Sequence, residues 1–148
     1  MTRAEIAKVL SPMLTPWPEA MQELELDGCT RLAEIMHPAD LLVYDNYNAV
    51  APGWTYTGRT SDVAICLPIG TAGIRLGFYR GINLDDPEKR LLGEGNMFRS
   101  LRFTSMELLD DPYVQRLIAD SIAMAPRGDC DGRVIFKSES AKKRRPIL

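Results

Sequence analysis

Two arginines stand among apolar side chains in the stretch LLGEGNMFRSLRF, residues 91–103. The strand expected at 97–103 alternates its side chains, so Arg99 shares a face with Leu101 while Arg102 lies on the opposite face. A guanidinium keeps its charge on burial and then needs a carboxylate, phosphate or carbonyl partner. The stretch lacks the third glycine of a dinucleotide fingerprint and the lysine of a P-loop, which argues against a nucleotide cradle.

The sequence leaves three interpretations of Arg99 open. Arg99 forms a structural ion pair with Asp45 or another carboxylate, or it holds the acidic group of a ligand together with Arg80, or it is exposed to solvent. In the ligand-binding interpretation, phenol and amide groups on the sheet line the pocket. These groups are Tyr44, Asn46 and Tyr56. The alternative is that they are ordinary hydrogen-bonding residues on a hydrated sheet face.

Carboxylates line one side of the helix expected at 16–36, opposite its apolar stripe. They are Glu19, Glu23, Asp27 and Glu34. Like charges one turn apart repel, and oxygen ligands suit iron, manganese, magnesium or calcium ions. The strip spans about 22 Å of helix, so it suits several weakly held ions better than one tight site. A solvated helix face is the alternative.

Histidine and cysteine chemistry finds little support in the sequence. His37 is the single histidine, and its place at the end of a helix suits a charge that interacts with the helix dipole. Cys29, Cys66 and Cys130 are far apart and odd in number, so no disulfide framework or metal-ligand spacing is evident. These features predict a protein without a catalytic centre that resides in the reducing cytoplasm.

Length and charge indicate one domain with a basic end. The chain has 148 residues and a net charge of −2, with no apolar run long enough to span a membrane and no secretory signal. Residues 137–148 hold five basic residues against Glu139, whereas residues 19–45 have a net charge of −6. We therefore expect a domain over 1–136 and a flexible basic tail over 137–148, whose KKRRP segment is a candidate partner-binding site.

Apolar periodicity and turn residues predict the order helix, antiparallel meander, helix. Helices are expected at 2–10, at 16–36 and from Pro112 to the stop at Pro126; strands are expected at 41–47, 53–58, 62–69, 74–80, 97–103 and 133–137. Gly28 in the long helix indicates either close packing on the sheet or a break in the helix. The fold class is therefore α+β, an antiparallel sheet with the N- and C-terminal helices packed on one face.

Two segments carry a family resemblance, VYDNYNAVAPGW and FYRGINLDDPEKRLLGEGNMFRSLRF. Between about Leu32 and Ala125, the chain resembles the YdhG-like bacterial domains of unknown function, which have a frataxin-like fold. The resemblance implies iron handling through carboxylates of the first helix and first strand, and it brings no catalytic motif. The matching regions hold Glu19, Glu23, Asp27, Glu34 and Asp45.

The sequence thus leads to two main functional expectations. The first is a non-enzymatic protein that handles iron or another divalent metal on the acidic strip. The second is a module that binds a small anionic ligand with Arg99 and Arg80. Membrane association is not expected, nucleic-acid binding is disfavoured, and homo-oligomerisation is left open.

Overall fold

The structure is a computed structural model that describes residues 1–46 and 48–139, and it is α+β as expected. Its helices are α1 (Arg3–Leu10), α2 (Glu19–Met36) and α3 (Pro112–Met124). Its strands are β1 (Asp40–Asp45), β2 (Val50–Thr55), β3 (Ile65–Cys66), β4 (Ile69–Gly70), β5 (Gly73–Phe78), β6 (Arg99–Arg102) and β7 (Val134–Glu139). No helix among these residues is long and apolar enough to cross a membrane.

Side-chain caps begin two of the helices. The Thr2 hydroxyl accepts a hydrogen bond from the Glu5 amide at 3.2 Å, and the Asp111 carboxylate accepts one from the Tyr113 amide at 2.9 Å. The prediction for α2 was wrong by almost one turn, because this helix begins after Pro18 rather than at Pro16. The segment before it is fixed to the sheet by the Trp17 indole, which donates to the Gly70 carbonyl at 3.0 Å.

Close packing explains the glycine in the middle of α2. The helix continues through Gly28 without a break. A Cβ atom there would lie 2.8 Å from Leu67 Cδ2 and 3.1 Å from the Phe103 ring. A larger residue would push the helix away from the sheet, which confirms the close-packing interpretation.

The sheet is mixed, so the expectation of an antiparallel sheet was wrong for one pair of strands. From one edge to the other the order is β6, β5, the two short strands β3 and β4, β2, β1 and β7. All pairs are antiparallel except β1 and β7, which run parallel with a register shift after Val43. Tight turns fix the direction of neighbouring strands, whereas β7 is reached through α3, and such a crossover permits a parallel neighbour.

The two faces of the sheet bury different residues. One face packs against buried residues from all three helices, among them Leu10, Leu32 and Leu117. The opposite face, here called the open face, carries a separate small cluster of buried side chains: Leu42, Val63 and Cys66. The helices therefore share one side, as the sequence predicts, and no helix of the described chain contributes to the cluster on the open face.

The last strand extends into the segment predicted as a tail. Strand β7 continues to Glu139, and its last two residues, Ser138 and Glu139, pair with Tyr44 and Asp45 of β1. The prediction of a flexible tail and of a partner site at KKRRP concerns residues 140–148, which lie outside the described residues.

Glu25 is the most unusual residue of the helix layer. Its side chain is fully buried, and neither carboxyl oxygen has a hydrogen-bond partner within residues 1–46 and 48–139. Burial raises the pKa of Glu25 well above its usual value. Ile35 of the same helix is 37% exposed, whereas Glu25, Cys29 and Met36 lie on its buried side.

We expect folding stability to fall as the pH rises because of Glu25. The folded state keeps this carboxyl protonated while the unfolded chain releases the proton above the ordinary glutamate pKa of about 4.3. The loss from one proton is at most about 1.4 kcal/mol per pH unit, and it ends at the raised pKa of the folded state. Urea unfolding of wild type and Glu25→Gln between pH 4 and pH 9 measures this slope.

The Glu25→Gln variant should lack this pH-dependent loss because an amide does not titrate. Glu34→Gln is the matched control, since Glu34 is an exposed glutamate of the same helix and its loss should leave the slope unchanged. Equal slopes in wild type and Glu25→Gln would contradict the protonated, buried state of this carboxyl.

Candidate ligand-binding site

A cavity of about 250 Å³ lies on the open face of the sheet. Its lining is predominantly apolar and consists of Leu42, Tyr44, Ala51, Gly53, Val63, Cys66, Pro68, Tyr79 and Phe98. Strand alternation brings these residues together, because Leu42 and Tyr44 of β1 point to the same side as Ala51 and Gly53 of β2. The volume exceeds the roughly 150 Å³ of an apolar cavity that takes up benzene.

Aromatic side chains form one wall of the cavity. The rings of Tyr79 and Phe98 meet edge to face, with centroids 6.1 Å apart and planes at 72°. Phe98 is 39% exposed although it is a large apolar side chain. Gly77 permits this arrangement, because a Cβ atom there would lie 2.6 Å from both the Phe98 ring and Cys66 Sγ. A ligand ring that enters the cavity therefore meets an exposed aromatic surface.

A short 3-10 turn, Thr60–Asp62, borders the cavity. The Tyr44 hydroxyl is hydrogen-bonded to the hydroxyl of Thr60. Asp62 accepts a hydrogen bond from the Thr57 hydroxyl at 2.8 Å and faces Arg59 at 3.6 Å and Arg80 at 4.0 Å. The carboxylate of this turn is thus already neutralised by two arginines.

Two further arginines share the open face. Arg75 of β5 lies directly opposite Arg102 of β6 in the antiparallel register. Arg75 Nη1 donates to the Ser100 hydroxyl at 3.4 Å. Within the part of the chain that the structure describes, neither guanidinium has a carboxylate at ion-pair distance. Their positive charge is therefore available to an external anion.

The cysteine of the cavity is not suited to nucleophilic chemistry. Burial raises the pKa of the Cys66 thiol to about 12. A thiol with this pKa is almost entirely protonated at neutral pH, whereas the thiolate is the nucleophile. Cys66 contributes apolar surface to the cavity.

The structure separates the residues that the sequence assigned to one ligand site. Tyr44 lines the cavity and Arg80 lies at its border through Asp62. Asn46 is exposed beyond the end of β1, and Tyr56 is buried in the helix-side core, where Arg127 stacks on its ring at 3.9 Å. These two residues do not contribute to the cavity.

Arg99 finds its partners within its own loop. Its Nη1 donates to the Gly95 carbonyl at 2.6 Å and to the Phe98 carbonyl at 2.7 Å. Of the partners considered from the sequence, backbone carbonyls are the ones it meets. Arg99 also lies on the same face as Leu101, away from the cavity. Arg75 and Arg102 are therefore better placed than Arg99 to bind an anion on the open face.

The acidic strip on α2 already contains a cation. Arg3 of α1 contacts Glu23 at 2.6 Å and Asp27 at 3.0 Å, while Glu19 and Glu34 are exposed. Asp45 lies elsewhere, beside Phe136 in a second cavity between the end of β1 and the segment after α1. Among the described residues, no three histidine, cysteine or carboxylate side chains are grouped so that they hold one metal ion.

Sequence reasoning missed Arg75, Tyr79 and Phe98 as site residues. The alternation in residues 73–79 contained the signal, because Ile74, Leu76 and Phe78 face the core and the residues between them face the other way. Their contact with β2 and with the turn at 60–62 depends on the sheet order, which no local pattern encodes.

Comparison of the chain with models of protein families, with curated proteins and with solved structures finds no match. The YdhG-like and frataxin-like resemblance therefore stays a prediction.

We expect ferrous iron to bind the acidic strip weakly, because Arg3 occupies Glu23 and Asp27 and must be displaced. Arg3→Gln should tighten binding, since it frees both carboxylates, and the triple variant Glu19→Gln, Glu23→Gln, Asp27→Asn should abolish it. Anaerobic calorimetric titration measures the affinities. Identical titrations of wild type and both variants would remove the strip from consideration as a metal site.

Proposed function

We propose that this protein is a non-enzymatic binding module that takes a small ligand with an apolar ring and an acidic group on the open face of its sheet. The observation that carries the proposal is the combination of an aromatic-walled cavity with a pair of arginines that have no carboxylate partner among the described residues. Ligand sites are typically concave and apolar with a few polar groups that orient the ligand.

The cavity supports an apolar ring as one part of the ligand. Tyr79 and Phe98 offer an edge and a face, and aromatic pairs of this kind add about 0.5–1.5 kcal/mol beyond area burial. The exposed fraction of Phe98 is surface that a ring would remove from water.

The charge of the open face supports an acidic group as the other part. Arg75, Arg80 and Arg102 point toward or border this face, and Asp62 is shared between Arg80 and Arg59. A carboxylate or phosphate would gain charge-assisted hydrogen bonds from guanidinium groups. The face is thus cationic although the chain as a whole has a net charge of −2.

Three expectations from the sequence stay predictions: iron handling, a frataxin-like arrangement and a cytoplasmic location. The three free cysteines fit a reducing compartment. The ion pairs of Arg3 with Glu23 and Asp27 make metal binding the weaker candidate, because a metal ion would have to compete with a guanidinium already in place.

Benzoate, which joins one ring to one acidic group, is the first probe of this function. We expect it to shift the amide resonances of β5 and β6 in ¹H–¹⁵N spectra, and Phe98→Ala to weaken the binding about tenfold, the equivalent of 1.4 kcal/mol. The physical reason is the loss of the ring contact at the cavity wall.

Phe136→Ala is the matched control, since Phe136 is 46% exposed and lies beside Val9 and Met13, away from this cavity. It should leave the benzoate affinity unchanged. Shifts confined to α1 and β7, or no shifts at millimolar benzoate, would contradict the proposed site.

A further inference from the structure

The arginine pair of the open face is arranged unfavourably for an isolated protein. Residues directly opposite each other in an antiparallel pair have Cβ atoms about 5 Å apart, and like charges at this position are destabilising. Arg75 and Arg102 occupy such a pair, and the Ser100 hydroxyl is the only side-chain partner that the described residues give them. Every other arginine of the described chain has a carboxylate or a backbone carbonyl within reach, as Arg31 has Asp110 at 2.6 Å.

The pair lies on β5 and β6, the strands that adjoin Tyr79 and Phe98, and both arginines line a separate cavity of about 250 Å³ together with Met21 and Leu24 of α2. Arg75 precedes Gly77 by two residues on β5, and Gly77 is the position over which Phe98 and Cys66 close. Two residues of a strand cover about 7 Å, so the arginine and the cavity wall are within the length of a one-ring molecule with one charged substituent. The Arg75 amide also donates to the carbonyl of Pro68, another lining residue, at 3.0 Å.

Two adjacent guanidinium groups favour a ligand group with two negative charges over a group with one. A carboxylate carries one negative charge and two oxygens, so it neutralises one arginine and leaves the other. A phosphate monoester carries about −1.5 to −2 charges at pH 7 and presents three acceptor oxygens, enough to engage both arginines at once. The Ser100 hydroxyl beside Arg75 adds a further donor.

We propose that Arg75 and Arg102 form a phosphoryl subsite and that the ligand is a small phosphate monoester with an apolar ring. The inference rests on the proposed function, because it names the class of ligand for the same face. The ring occupies the cavity beside Tyr79 and Phe98, and the phosphate lies between the two guanidinium groups. Relief of the like-charge repulsion then contributes to the binding free energy.

Titration calorimetry with the full chain at pH 7.5 tests the subsite with phenyl phosphate, benzoate, glycerol phosphate and inorganic phosphate. Phenyl phosphate should bind at least about tenfold more tightly than benzoate, which has the ring but one charge fewer, and than glycerol phosphate, which lacks the ring. Arg75→Gln and Arg102→Gln should each lower the affinity for phenyl phosphate by about tenfold or more, the loss of one charge-assisted contact.

Arg99→Gln serves as the control variant, because Arg99 lies on the same strand with its side chain on the opposite face and bonded to carbonyls. It should leave phenyl phosphate binding unchanged. Thermal unfolding of each variant establishes that it is folded, and Arg102→Lys, which keeps the charge but not the planar donor pair, should fall between wild type and Arg102→Gln.

The outcomes separate this inference from the proposed function. Equal affinities for benzoate and phenyl phosphate, or unchanged phenyl phosphate binding in both arginine variants, would overturn the phosphoryl subsite and leave the ring-and-acid module standing. Binding to phosphatidic acid vesicles without binding of phenyl phosphate would overturn the ring-bearing monoester as the ligand. Failure of every probe to shift the resonances of β5 and β6 would overturn both.

Discussion

The close contact of α2 with the sheet at Gly28 is the constraint on which the rest of the structure depends. Without a side chain at this position the helix lies against Leu67 and Phe103, and its whole length becomes part of the core. That approach is close enough to bury Glu25 completely, and no polar group in the described part of the chain forms a hydrogen bond with its carboxyl. The helix layer thus accepts an unpaired carboxyl as the consequence of tight packing on one face.

Local patterns in the sequence predict most of the elements, because each pattern reflects one physical rule. Thr2 and Asp111 cap helices in the structure as their residue types suggest, and the alternation of Ile74, Leu76 and Phe78 gives the buried face of β5. The direction of β7 was missed, since it is set by the route of the chain through α3 and not by residues of the strand.

The candidate site was less predictable than the fold for the same reason. Tyr44 is predicted from its strand and does line the cavity, whereas the sequence favours Arg99 because it shares a face with apolar residues and a buried guanidinium needs a carboxylate, phosphate or carbonyl partner. The structure satisfies Arg99 with carbonyls of its own loop, a local solution that composition does not reveal. Among the described residues, Arg102 on the open face has no carboxylate at ion-pair distance, and recognising this requires knowledge of which carboxylates the fold brings near.

A sheet with one face free of helix contacts must still avoid exposing a broad apolar surface. Here the turn at 60–62 packs Val63 against Gly53 and Cys66, which leaves only a small cavity instead of an open apolar face. Charged residues at the border of that cavity keep the surface hydrated. Two like charges directly opposite each other destabilise the sheet, whereas a lysine opposite a glutamate would hydrate the surface without repulsion. The exposed Phe98 ring and the Arg75–Arg102 pair therefore both oppose stability, and an anion with an apolar body would offset both effects if it binds as proposed.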